Sequence, residues 1–252
     1  MRPARLGPVS RVLAVVLVAH GSRDPRAAAS TEALARAVAA AHPGWEVHAS
    51  YLDHAGPRPL DVLAGLSARG HRRVVLVPLL LTAAYHGRVD VPAVADAARA
   101  AELPIAVTMT DVLGPVSPVL VAGLVRRLPE SNLDAVVLAA AGTRDAAARA
   151  TVEEAAAALG TRLGVPSAVA YASAAPPTAA AAVSALRAAG ADRVGVAAYF
   201  LAPGRLYDAA VDSALSAGAV AVAPPLGDAP ELVRLIGMRV DEALAPRLAA
   251  AA

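Results

Sequence analysis

The chain contains no cysteine, and no lysine occurs among its 252 residues, so all 23 basic residues are arginine. Each absence closes off a class of chemistry. Without thiols there is no disulfide, no thiolate nucleophile and no sulfur-ligated metal. Without lysine there is no Schiff base and no Walker-type phosphate loop. Any metal must therefore be held by His, Asp or Glu. Aromatic residues make up only 3%, so stacking platforms for single-stranded nucleic acid are missing. The formal charge is just +2. The high isoelectric point reports late-titrating guanidinium groups rather than a polybasic surface. No nucleic-acid partner is expected. Nor is a membrane span: the uncharged stretch near Leu163 to Leu186 is broken by Pro166, Pro176 and Pro177. The N-terminus sets Arg2, Arg5 and Arg11 before the apolar run Val12–Ala19, which has some likeness to a signal peptide. The run is short, and it leads into a motif that recurs internally. Residues 1–11 therefore read as a flexible tail and Val12–Ala19 as the first core strand, with a cytoplasmic location expected.

What is present is aliphatic and periodic. The chain is 57% hydrophobic, much of it alanine, which is ample for a large core built from slim helices. Val12–Ala19, Val74–Leu81, Ala135–Ala140 and Val194–Leu201 are continuous apolar runs, as expected of parallel strands covered on both faces. Helical stretches lie between them. Asp24-Pro25 is an N-cap and N1 pair, and His42-Pro43-Gly44 stops that helix. Alternating strands and helices predict an α/β fold with right-handed crossovers. A shift of about 120 residues superimposes the two halves: "AHGSRD" (19–24) on "AAGTRD" (140–145), "YLDHAGP" (51–57) on "YASAAPP" (171–177), and "RVVLVPLLLTAAYH" (73–86) on "RVGVAAYFLAPGRL" (193–206). We expect two homologous domains, 12–130 and 131–252, each a parallel sheet flanked by helices, with the active site in the cleft between them.

The halves differ in their polar residues. His20 aligns with Ala141, Asp53 with Ser173, His54 with Ala174 and His86 with Leu206, and all six histidines lie in the first half. Ligands of open α/β sheets bind beyond the carboxyl ends of the strands. His20, Asp53 and His86 each follow a strand, so three neighbouring strands would deliver His, Asp and His to one edge, a donor set suited to Fe, Co, Ni or Zn. A carboxylate after a strand also often caps the next helix, so the sequence leaves open whether Asp53 or His54 takes part. His42 reads as a cap at a helix end, His48 as a structural mid-strand residue, and His71 as a surface residue at the opposite end of the sheet. Arg23, Arg88, Arg144 and Arg205 also follow strands. Singly each is an ordinary solvated residue; together around one cleft they would hold a polyanion. Gly21 and Gly142 would let backbone approach a ligand, with helix N-termini alongside. Ala141 and Leu206 cannot coordinate a cation. One metal per chain is therefore expected, on the first-half side, with Leu206 facing the ligand or packing the cleft wall.

"LVAHGSRDP" (17–25) together with "VPLLLTAAYHGRVDVP" (77–92) resembles the sirohydrochlorin chelatases of the CbiX/SirB type, class II chelatases. The likeness runs from about Val12 to Leu244. It implies a lyase that inserts a divalent metal (Fe2+, Co2+ or Ni2+, as substrate) into sirohydrochlorin, on the way to sirohaem or cobalamin, with no nucleotide. It also implies that His20 and His86 bind the metal. The family's acidic residue after the second strand is commonly glutamate; here it is Asp53, one methylene shorter. Ala84 stands where the family often has glycine. The substrate's eight carboxylates would account for the arginines. A monomer is expected, with a homodimer left open. Two other readings use the same residues: a non-catalytic metal or tetrapyrrole carrier, and a phosphate-ester hydrolase. The hydrolase is disfavoured because Ala19 stands where such enzymes usually carry an arginine.

Overall fold

Ala14 through Val18 are each no more than 1% exposed, so the strand they form, β1 (Leu13–Ala19), is covered on both faces as its unbroken apolar run requires. The computed structural model describes residues 12–82, 90–129 and 132–245. Residues 1–11, read above as a tail, lie outside the described residues. The first repeat continues as α1 (Pro25–Ala41), β2 (Trp45–Tyr51), α2 (Pro59–Ala68), β3 (Arg73–Pro78), α3 (Asp90–Ala100), β4 (Ala106–Met109) and α4 (Pro118–Arg127). The second runs β5 (Ala135–Ala140), α5 (Ala146–Leu163), β6 (Ser167–Tyr171), α6 (Ala179–Ala188), β7 (Val194–Tyr199), α7 (Arg205–Ser216), β8 (Ala221–Val222) and α8 (Pro230–Leu244). Each repeat forms a parallel four-stranded sheet, ordered β2-β1-β3-β4 and β6-β5-β7-β8. The fold is the α/β architecture of two repeated sheets flanked by helices. None of the described helices is long and apolar enough to cross a membrane.

Helix starts follow local chemistry. Asp24 caps α1 by accepting from the Arg26 amide at 2.9 Å, with Pro25 at the first position. Asp145 does the same for α5, accepting from Ala147 and Ala148. Gly164, at φ 71°, ends α5 in the left-handed conformation that glycine adopts without strain. Two strands end before their apolar runs do. β3 stops at Pro78, where the Leu80 amide turns back onto the Pro78 carbonyl at 2.9 Å, and β7 stops at Tyr199.

The repeats share one core. A central layer of helices α1, α4, α5 and α8 lies between the two sheets. Its side chains, among them Leu34, Leu124, Leu159 and Ile236, pack with the inward faces of both, including Leu17, Val77, Leu138 and Ala197. α2 and α3 cover the outer face of the first sheet through Leu63, Leu66 and Val94; α6 and α7 cover the second through Val183, Ala210 and Ala214. The last helix of each repeat crosses over: α8 packs on β3 and β4, and α4 on β7. Polar contacts follow the exchange. Arg127 donates to the Leu226 carbonyl at 2.6 Å, Arg126 pairs with Glu231 at 2.6 Å, and Arg239 donates to the Val112 carbonyl at 3.0 Å.

Candidate active site

In the first sheet, the β1–α1–β2 crossover lies on the inner face and β2–α2–β3 on the outer face. The chain thus changes side between β1 and β3, and a crevice opens beyond their carboxyl ends. His20 stands there, directly after β1, and is half-buried. Backbone pairing continues past both strands: the Leu52 amide donates to the Ala19 carbonyl at 3.0 Å and the Asp53 amide to the His20 carbonyl at 2.8 Å. Gly21 makes this possible. Its φ is 95°, and a Cβ there would lie 1.8 Å from the Asp53 carbonyl oxygen, so no other residue fits. His20 and Asp53 are thereby held on adjoining backbone.

The side chains form a small polar group. The His20 and His54 rings lie 6.4 Å apart, centre to centre, and are tilted by 47°. His54 takes a φ of 60°, which is uncommon for a non-glycine residue. The Asp53 carboxylate accepts from the His54 amide at 2.8 Å and lies 3.4 Å from its ring and 3.6 Å from Arg58. The amide hydrogen bond, followed by the charges of His54, Arg58 and His20, holds the Asp53 carboxyl below its ordinary range despite some desolvation. It is therefore ionised at neutral pH. Asp53 does not cap α2, which begins after Arg58 with no side-chain cap. His20 Nδ1 lies 3.3 Å from the Gly21 carbonyl. The tautomer that donates from Nδ1 carries its lone pair on Nε2, the atom suited to a cation.

A cavity of about 200 Å³ opens beside His20 and joins the two repeats. The first repeat lines it with Ala19 to Ser22, Ala27, Thr31, Tyr51 and Leu79, and the second with Leu201 to Pro203. It is smaller than the roughly 300–1,000 Å³ of pockets that enclose a drug-sized ligand, so it admits the edge of a large ligand rather than the whole.

His86 and Arg88 lie outside the described residues. Arg23, Arg144 and Arg205 are exposed, and none of the three lines the cavity. Leu206 is 36% exposed in the first turn of α7, not buried in a wall. Among the described residues no three His, Asp or Glu side chains converge as a metal site. Of the other histidines, His42 is the C-cap of α1 as expected, and its ring stacks on Trp45 at 3.9 Å. His71 is not a surface residue: it is 4% exposed and meets Glu46 at 2.8 Å. The Glu46 carboxylate, contributed by β2, gives it a buried partner that position along the chain does not show. His48 also pairs with Glu46, at 2.9 Å, and so does Arg69, at 2.7 Å. Burial raises the Glu46 pKa, but bonds from His48, Arg69 and His71 outweigh it and bring the carboxyl to about 2.

The sequence reading missed Arg26, whose guanidinium lies 2.6 Å from Asp208 of the other repeat. Its one signal was that Arg26 aligns with Ala147.

This arrangement can be set beside known proteins. The CbiX family model matches residues 14–131 and matches again over 135–243. The chain belongs to the CbiX family. A sirohydrochlorin cobaltochelatase from Methanococcoides burtonii is 25% identical over 84 residues, which is 33% of this chain. The match spans 64% of that relative's length. SirB from Bacillus subtilis, solved with Fe3+, superimposes with a TM-score of 0.75 at 23% identity, covering 93% of this chain and 96% of SirB. SirB from Bacillus subtilis subspecies spizizenii, a sirohydrochlorin chelatase in complex with cobalt, gives 0.75 at 22% identity, covering 93% and 97%. The two superpositions show that the chain has the two-repeat fold of SirB.

Proposed function

We propose that this chain is a chelatase that inserts a divalent metal ion, Fe2+ or Co2+, into sirohydrochlorin, in sirohaem or cobalamin synthesis. Ni2+ is the further candidate. One observation carries the reading. In a chain whose two halves both match the CbiX family, only one half gathers His20, Asp53 and His54 at its strand ends, where the other has Ala141, Ser173 and Ala174. The iron and cobalt bound by the two SirB proteins support a cation as the second substrate.

In this reading His20 and His86 hold the metal while it sheds water. As the metal–nitrogen bonds form, two pyrrole N–H protons leave the ring, so the charge of the divalent cation is balanced. As the cation passes to the ring, the lone pair it frees on each of the two imidazoles can take up one of these protons, and the ionised Asp53 carboxylate offsets the cation's charge beforehand. Arg23, Arg88, Arg144 and Arg205, with the amides near Gly21 and Gly142, would pair with the substrate's carboxylates.

The test is an anaerobic assay with metal-free sirohydrochlorin and Fe2+, Co2+ or Ni2+, following the change in the absorption of the ring. Many turnovers per chain, above the uncatalysed rate, are expected. Uptake of one equivalent without turnover would make the chain a carrier, and a background rate with no binding would refute both.

A further inference from the structure

An ion pair joins the two repeats next to the segments that line the cavity. Arg26, in the first turn of α1, precedes the lining residue Ala27; Asp208, in the first turn of α7, follows the lining segment Leu201 to Pro203. Arg26 Nη2 lies 2.6 Å from Asp208 Oδ2, and Nη1 lies 3.5 Å from Oδ1. The same guanidinium is held from its other side by Asp24, with Nε at 3.0 and 3.1 Å from the two carboxylate oxygens and Nη2 at 2.5 Å. Asp24 is also the cap of α1, so Arg26 is anchored to its own helix whether or not Asp208 is present.

We propose that Arg26 and Asp208 form a charge gate, which a carboxylate of the ligand opens by taking Asp208's place on the guanidinium. This rests on the reading that the ligand is a polycarboxylate. Three observations support it. First, two carboxylates share one guanidinium, so the charge of Arg26 is already neutralised and a ligand carboxylate can pair with it only as Asp208 withdraws. Second, the pair is not needed to hold the repeats together. Its side chains are 54% and 42% exposed, where water and salt weaken an ion pair, and the shared core with its exchanged helices already joins the halves. Third, the pair has no mate across the internal repeat. The positions matching Arg26 and Asp208 are Ala147 and Arg88, so the gate stands only at the cleft that holds His20. An arginine held bidentately by a fixed carboxylate is also preorganised for a second one. Arg26 is thus assigned as a ligand-binding residue and Asp208 as its internal competitor.

The test is titration of the whole chain with metal-free uroporphyrin, which carries eight carboxylates, followed by its fluorescence at fixed salt. Circular dichroism checks that each variant is folded. D208N should bind roughly 3–10-fold more tightly than the unsubstituted chain, and R26Q more weakly by a similar factor. D212N removes the same charge from the same helix at an exposed position, and it should leave binding within about twofold, as expected of a charge lacking the pair. Unchanged or weaker binding by D208N would overturn the gate. So would equal tightening by D212N, unchanged binding by R26Q, or no binding by any variant. The readout does not depend on turnover. A chain that inserts no metal, but in which D208N alone tightens binding, loses the chelatase reading and keeps the gate. A chain that turns over, but in which D208N binds like the unsubstituted protein, loses only the gate.

Discussion

The turns after β1 and β5 trace one path with different side chains. Gly21 and Gly142 have φ of 95° and 94°, and a Cβ on either would meet the carbonyl oxygen of Asp53 or Ser173 at 1.8 or 1.9 Å. One residue beyond those carbonyls, His54 and Ala174 have φ of 60° and 64°. The backbone is therefore dictated by how the two loops fit against each other, and it carries histidine in one repeat and alanine in the other. The same holds at the opposite end of the sheets. Glu46, His48, Arg69 and His71 form a charged cluster in the first repeat, while the matching positions are Pro166, Ala168, Ala189 and Ala191. What the comparison teaches is that scaffold and chemistry are separable here: packing and turn geometry occur twice, and the titratable groups once.

The sharpest way to break the comparison is at His20. His20→Ala should lower metal insertion by roughly 100-fold or more without changing the circular dichroism, and Ala141→His should not raise the number of bound Co2+ ions above one. A second cobalt peak at position 141 in anomalous diffraction would show that the second repeat needs only its histidine restored.

The glycines test the shared half of the comparison. Gly21→Ala and Gly142→Ala should each destabilise the fold by roughly 2–4 kcal/mol, from the positive φ together with the clash against a carbonyl. Urea unfolding checks this; a large loss at only one of the two positions would mean that the turns are not equivalent.

Acid should separate the repeats. The Glu46 pKa is depressed from 4.5 to about 2 in the fold. The stability it contributes is therefore present above pH 4.5 and is lost as pH falls toward 2. Glu46→Gln should lower stability at neutral pH and flatten its decline over that window in pH-dependent denaturant titrations. An unchanged acid limb would show that the cluster does not contribute.

The smallest effect concerns two buried tyrosines at matching strand ends. Tyr51 donates to the Ala28 carbonyl at 3.2 Å, whereas the Tyr171 hydroxyl has no partner among the described residues. Tyr51→Phe should cost about 0.5–1.5 kcal/mol and Tyr171→Phe close to nothing, read by thermal unfolding. Equal losses would mean that the second hydroxyl is also satisfied.

Much of this was legible along the chain, because the signals are local. A doubly buried strand is an unbroken aliphatic run, and β5 begins and ends with its run, Ala135–Ala140. A capped helix shows its Asp and Pro, and an internal duplication shows itself at constant spacing. The two short edge strands β4 and β8 went unread, since strands of 4 and 2 residues carry too few side chains for a pattern. His20, Asp53 and His54 could be placed at one sheet edge because parallel strands deliver their C-terminal residues together. The carboxylate that buries His71, the exchange of α4 and α8, and the meeting of Arg26 with Asp208 could not be read in this way. Each joins segments 25 to 182 residues apart or whole helices of opposite repeats. Local propensity and periodicity set the elements and their order; which side chains then face one another depends on how two sheets share one helical layer, and only the packed tertiary structure decides that.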